Sequence, residues 1–311
     1  MPNYQGVWSL STQFQNRTGW PTYFQPIALI ALGQDTGGIN LNTVETVDIT
    51  TTGNSTDFGD LTVARSNMGG AGSSNTRGIF AGGIAAGNTK RDVIDYFTIQ
   101  SAGNAIDFGN LAAANSSCTS LSNSTRNVTG GGNDPSTTNR IQYVTIATLG
   151  NTTDFGDLTS AKAEFGATAS PTRGLFFAEG SGGSNDIEYI TIASTGNATD
   201  FGDMTVSVES PACCASNTRA LHGGGSGSVN NIGYVTIGTT GNAVDFGDLT
   251  VGRTRIASTS SKIRGIFAGG YSSGVIDYVT IASTGNAVDF GDTSVNSQLL
   301  SANSAAHGGL S

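Results

Sequence analysis

The chain reads as an all-β protein, a six-bladed β-propeller of four-stranded antiparallel blades closed by a blade that both termini share. Three observations predict this. The triplet Asp-Phe-Gly recurs six times, at Asp57, Asp107, Asp154, Asp200, Asp245 and Asp289, in steps of 50, 47, 46, 45 and 44 residues. A near-constant period of this length marks stacked copies of one supersecondary unit. The strand-like run VIDYVTI is apolar on both faces, with Ile276 and Tyr278 on one side and Val279 and Ile281 on the other. An antiparallel sheet with two dry faces is sandwiched between neighbours rather than open to water. Finally, the array starts at a second strand (Ile27 to Gly33) and ends after a first one (about Asn296 to Ser304), so the C-terminus supplies the inner strand of the N-terminal blade and hides the sheet edges. An echo of Leu221-His222-Gly223-Gly224 at Ala306-His307-Gly308-Gly309 leaves open whether the C-terminus supplies one strand or two.

Two units are expected: an N-terminal anchoring or docking segment, 1–25, and the propeller, 26–311. In the first, Trp8, Leu10, Phe14 and Trp20 follow a short helical spacing, with Ser9 or Ser11 as a cap and Gly19-Trp20-Pro21 as a stop. Both tryptophans of the protein lie here, either covering one end of the wheel or docking a partner.

The clearest repeat runs from 252 to 293. Gly252 to Ser261 (GRTRIASTSS) reads as a first strand, Arg264 to Gly270 as a second, Val275 to Ser283 as a third and Asn286 to Thr293 as a fourth. Glycine pairs, Ser-Ser and Thr-Gly-Asn mark the turns. Four short strands in about 45 residues make one blade. First strands are built of small residues and belong at the crowded axis, with Cys118, Cys213 and Cys214 among them. The six phenylalanines Phe58, Phe108, Phe155, Phe201, Phe246 and Phe290 are the expected knobs between blades. The following glycine provides a bulge or tight turn, and the flanking carboxylates, such as Asp57 and Asp60, accept turn amides. Thr46 stands where later copies have Tyr96, Tyr143, Tyr189, Tyr234 and Tyr278, which marks the first blade as the weakest.

Composition narrows the function. A net charge of −9, with no clustered Lys or Arg, disfavours nucleic acid. No run approaches the ~18 apolar residues of a membrane helix, so membrane insertion is not expected. MPNYQGVWSL has neither the basic start nor the apolar core of a secretory leader. Three cysteines, two of them adjacent, are no disulfide framework, and a reducing cytoplasm is expected at synthesis.

No catalytic residue, metal site or cofactor is expected. Asp-Phe-Gly resembles the kinase magnesium triplet but lacks the glycine-rich loop, strand lysine and catalytic loop that go with it. Two carboxylates three apart offer too few oxygens for calcium, which takes about 6–8. His222 and His307, the two histidines, read as variants of the Phe267 position. Arg77, Arg126, Arg173, Arg219 and Arg264 begin five second strands and form a ring on one rim, pairing with local carbonyls and carboxylates or gripping an acidic partner. The loops after the second strands, such as IAAGNTKRD and GNDPSTT, differ most and suit binding.

The pattern resembles a kelch propeller in its glycine pairs (Gly82-Gly83, Gly131-Gly132, Gly269-Gly270), its third-strand tyrosines and its trailing Arg65 and Arg253, with Phe at the kelch Trp position. More specifically, the consensus units DYVTIASTGNATDFGDLT and TRGIFAGG and the opening GVWSLSTQFQNRTGWP resemble repeat-bearing structural proteins of tailed phages of marine bacteria. That resemblance implies a virion protein of the tail or tail fibre, made in the host cytoplasm and present in several copies, whose partners are other virion proteins and a host surface receptor or glycan. Two rivals stand beside it: a lectin-like propeller reading host glycans, signalled by exposed loop aromatics such as Tyr271, and a kelch-like oxidase or glycosidase, signalled by carboxylates or Cys-Tyr-His ligands over the pore.

Overall fold

A computed structural model describes residues 25–69, 72–179 and 184–310. It is a six-bladed β-propeller. From the axis outward, blade 1 is Ser301–Ser304, Ile27–Ala31, Thr43–Asp48 and Thr56–Asp60. Blade 2 is Gly72–Ser73, Arg77–Ala81, Thr89–Thr98 and Ile106–Asn115. Blade 3 is Thr119–Ser122, Arg126–Gly130, Arg140–Thr145 and Thr153–Asp157. Blade 4 is Gly166–Ala169, Arg173–Glu179, Ser184–Thr191 and Thr199–Asp203. Blade 5 is Ala212–Ala215, Arg219–Gly223, Asn231–Thr236 and Val244–Asp248. Blade 6 is Ala257–Ser260, Arg264–Ala268, Ser273–Thr280 and Val288–Gln298. The C-terminus gives blade 1 a single strand, with Ala28 opposite Ser304 and Ala31 opposite Ser301.

The inner strands are shorter than the sequence suggests. In blade 6 the first strand begins at Ala257 rather than Gly252, because Arg255 takes a left-handed φ of 59° that no strand continues through. Cys118 lies just before its inner strand, whereas Cys213 and Cys214 lie within theirs, and all three are buried.

The hydrophobic core is divided into six clusters, one in each gap between blades. Each holds one DFG phenylalanine. Phe290, for example, packs with Ile276 of its own blade and with Ala28, Ile30 and Val47 of blade 1, while Val279, on the other face of the third strand, packs into the preceding gap. In five blades the Tyr stacks edge-on against the DFG ring, at 5.9–6.0 Å between centroids. Blade 1 has Thr46, and there Phe97 of blade 2 packs edge-on against Phe58 at 5.8 Å.

The glycine after each phenylalanine sits in a bulge. Gly59 faces Val44 and Asp57 faces Glu45, so Phe58 is the extra residue. The flanking carboxylates do not cap this turn. Asp57 is exposed, and it is the backbone N–H of Asp60 that donates, to Asn104 Oδ1 of the next blade at 3.1 Å. With Gly103 N–H to the Phe58 carbonyl (2.9 Å) and Ala105 N–H to the Asp60 carbonyl (2.8 Å), this makes a three-bond clasp. The same clasp recurs at all six gaps and closes the wheel between Asp292 and Asn54 at 3.1 Å.

Candidate functional site

The five arginines that begin second strands are staples within the wheel. Each guanidinium crosses to a carbonyl of the next blade: Arg77 to Ile146 (2.8 Å), Arg126 to Ile192 (2.9 Å), Arg173 to Ile237 (2.9 Å), Arg219 to Ile281 (3.1 Å) and Arg264 to Thr50 (2.8 Å). Each also lies over the Tyr of its own blade, 4.5–4.8 Å from the ring centroid. Of the two arrangements the sequence left open, the structure shows pairing with carbonyls. Blade 1 has Ile27 at this register, so its gap to blade 2 has no staple.

That rim is also closed at the axis. After Ser304 the chain crosses the channel. His307 Nε2 lies 3.1 Å from the Ser73 carbonyl and 3.2 Å from Ser122 Oγ, in blades 2 and 3, while Gly308 N–H donates to Ala215 O of blade 5 at 3.0 Å. His307 is therefore part of a plug, not a variant of the Phe267 position. His222 does occupy that position: it faces Cys213 as Phe267 faces Ser258.

Among the described residues, the opposite rim is open. Here a buried polar position recurs on the third strand, opposite the DFG aspartate. Asp95 pairs with Arg65 at 2.7 Å, Asp277 with Arg253 at 2.5 Å and Glu188 with Lys162. In these three, the Thr after the preceding blade's DFG motif donates to the same carboxylate: Thr62 to Asp95 (2.7 Å), Thr250 to Asp277 (2.5 Å) and Thr159 to Glu188 (2.6 Å). Blade 3 substitutes Gln142 and Asn115; in blade 1, Glu45 accepts from Ser55 and Ser294. Blade 5 has Val208 and Gly233 instead, and the imidazole of His222 fills the space beside Gly233, with neither ring nitrogen partnered. Burial pushes its pKa down to about 4. Only the Arg half of this pattern was read from the sequence. The recurring DLT-x-x-Arg/Lys spacing, in DLTVAR, DLTSAK and DLTVGR, carried the rest of the signal.

Next to these pairs, one residue per blade adopts a left-handed conformation: Asn67, Ser117, Glu164, Ser210, Arg255 and Leu299, with φ between 52° and 59°. Their amides run around the axis. Ser117 N–H donates to Asn67 O (3.0 Å), Glu164 to Ser117 O (2.9 Å), Ser210 to Glu164 O (2.7 Å) and Leu299 to Arg255 O (3.1 Å). This belt forms the mouth of a funnel whose throat is Met68, Cys118, Phe165, Pro211, Ile256 and Leu300, enclosing cavities of about 110 and 90 Å³. The Cys118 thiol is pushed up to about 12 by burial, which favours its protonated form at neutral pH. Among the described residues, no three His, Cys, Asp or Glu side chains are placed to hold a metal ion.

Beyond the mouth, the rim loops differ from blade to blade. Blade 3 carries a small hairpin, Asn133–Asp134 with Ser136–Thr137, tied by Arg140 to Asp134 at 2.6 Å. Blade 1 sends Gln34–Asp35 onto the outer strand of blade 6. Blade 6 exposes Tyr271. Trp8, Leu10, Phe14 and Trp20 lie outside the described residues.

Fold and rim together define a six-bladed β-propeller whose described residues plug one face and leave the other, loop-bearing face open. Compared with known proteins, the chain matches no protein-family model and no curated protein sequence.

Proposed function

We propose that this chain is a non-enzymatic bacteriophage virion protein, a kelch-like propeller of the tail or tail fibre that serves as a protein-interaction and host-attachment module. The observation that carries this reading is where the polar residues go. Of the polar residues that recur in the blades, the arginines staple neighbours and the third-strand carboxylates are buried under cations or hydroxyls, while the DFG aspartates stay exposed on the outer strands. What differs between blades is the open rim, the part of a propeller that suits recognition. The throat supports the same reading. It mixes apolar side chains, Met68, Phe165, Ile256 and Leu300, with hydroxyls such as Thr119 and Ser301, and burial favours the protonated form of its Cys118 thiol. The phage assignment rests on the repeat wording and the opening segment described above.

Two experiments test it. Labelled antibody against the chain on purified particles is expected to mark the tail or its fibres; label absent from particles overturns the virion reading. Deletion of residues 1–22 is expected to abolish incorporation while leaving the propeller folded. Normal incorporation of that variant would assign docking to the wheel itself.

A further inference from the structure

On the open rim, blades 6, 1 and 2 carry a connected row of planar polar side chains. The Arg255 guanidinium donates to Gln298 Oε1 at 3.0 Å. Gln298 Nε2 donates to Gln34 Oε1 at 3.3 Å, and Gln34 Nε2 to Asn40 Oδ1 at 3.3 Å. Ser66 Oγ donates to the same Asn40 oxygen at 2.9 Å. The backbone holds the row in place. Gln34 pairs with Gln298 across the boundary between blades 1 and 6, and Asn40 Nδ2 is fixed by the Ile84 carbonyl at 2.9 Å. Tyr271 stands beside the row: its N–H donates to the Thr254 carbonyl at 3.0 Å, next to Arg255, and the residue is 63 % exposed.

This arrangement has a specific chemical character. A side-chain amide has two donors and an acceptor with two lone pairs, and in the row each amide is only partly used. Gln34 Nε2 also donates to the Gly38 carbonyl at 3.1 Å, so what remains is a donor and a lone pair on Gln298, a lone pair on Gln34 and a donor on Asn40, at positions set by the main chain. Arg255 and Asp35 bring one charge of each sign, and the Asp35 carboxylate is engaged by its own loop, accepting from the amides of Gly37 and Ile39 at 2.9 and 2.8 Å. The row therefore offers no concentrated field for a phosphate or a strongly acidic chain. An exposed tyrosine adds a rigid apolar face with a polar tip. A ligand that meets all of this has neighbouring hydroxyls, each able to donate and accept, on a ring with an apolar C–H face.

We propose that the rim segment formed by Tyr271, Arg255, Gln298, Gln34 and Asn40 is a saccharide-binding site. Tyr271 stacks on the C–H face of one sugar unit, and the amide row hydrogen-bonds its hydroxyls. The proposal deepens the attachment reading and rests on it for the sugar's cellular source, though not for the site itself.

The test is saturation-transfer NMR on the full chain with D-glucose, D-galactose, D-mannose and N-acetyl-D-glucosamine, and with purified host O-polysaccharide. Transfer is expected from at least one of these. Tyr271→Ala should weaken that binding about tenfold or more, as loss of an anchor of at least 1.4 kcal/mol would. Tyr271→Phe should retain it within about threefold, because the stacking face survives. Gln34→Ala with Gln298→Ala should weaken it, and Ile263→Ala on the opposite rim should not. Preference for polysaccharide over free sugar identifies a surface glycan as the source, and equal binding identifies soluble sugar. Absence of transfer from every sugar and the polysaccharide overturns the proposal, as does binding that survives both the Tyr271→Ala and the double Gln variant. Sugar binding by a chain missing from particles would sink the virion reading alone; a particle-borne chain that binds none of these sugars would sink this proposal alone.

Discussion

The N–H of Gly53 donates to the carbonyl of Phe290 at 2.8 Å, joining the first blade to the last. It is the sixth copy of a bond also made by Gly103 to Phe58, Gly150 to Phe108, Gly196 to Phe155, Gly241 to Phe201 and Gly285 to Phe246. The wheel is thus shut by the same contact that spaces its blades, and the shared strand at the axis adds a second closure.

The bulge glycine is what permits that contact. A Cβ on Gly291, at φ 151°, would lie 2.5 Å from the Gly53 carbonyl, whereas Gly285, at φ 152°, has open space around it. Gly285→Ala is expected to cost about 1–3 kcal/mol from backbone strain alone. Gly291→Ala should cost more, through the added clash. Urea denaturation of the two variants compares them directly, and equal losses would remove the clasp as the cause.

Phe246 fills the gap between blades 5 and 6 with Leu221, Ile256 and Phe267. Phe246→Ala should destabilise by about 3–5 kcal/mol, the usual cost of emptying a buried Phe site. A change below about 1 kcal/mol in equilibrium unfolding would mean that the site collapses freely.

The arginine staple is separable into two parts. Arg173→Ala loses a charge-assisted bond to Ile237 O and the contact with the Tyr189 ring. A loss of about 1–3 kcal/mol is expected. A double-mutant cycle with Tyr189→Leu should show a coupling of about 0.5–1 kcal/mol if the cation–ring contact contributes.

Blade 5 shows that the buried ion pair is replaceable. Asp277→Ala leaves Arg253 buried without its carboxylate and should cost about 3–5 kcal/mol. Arg253→Val, Phe267→His and Asp277→Gly together copy the Val208, His222 and Gly233 set into blade 6. This triple variant should be closer to wild type than Asp277→Ala, as measured by thermal unfolding at pH 7.

Acid sensitivity should centre on His222. Its folded pKa of about 4 lies below the ordinary 6.5, so the unfolded chain binds the proton more readily. The stability linked to neutral His222 is complete above pH 6.5 and is lost as pH falls toward 4, for a total of about 3 kcal/mol. His307 shifts in the same direction, but it is half-buried in the plug and contributes less. His222→Phe, the residue found at this register in blades 2, 4 and 6, should flatten stability between pH 6.5 and 4. A pH series of urea midpoints checks this, and an unchanged acid limb would clear His222.

The repeat period, the two-faced third strands and the phase of the chain ends were enough to read six blades and the shared strand. Each follows from local chemistry: strand periodicity, small residues at the axis and a phenylalanine at a fixed step. Asn104 and its counterparts read as turn residues, because nothing in one repeat reveals that the turn locks onto the blade before it. The fate of Arg77 was undecidable for the same reason, since its acceptor, Ile146, belongs to the next repeat. His307 looked like a strand residue because it echoes His222, but the closed ring leaves it no sheet to join, and it plugs the axis instead.

The sequence by itself determined the unit, its number and its core, because those depend on contacts within one repeat and on its period. The tertiary structure decided what the polar residues do. Clasps, staples, the mouth belt and the amide row all join residues from different blades, and such partners come within hydrogen-bonding reach only once the wheel has closed.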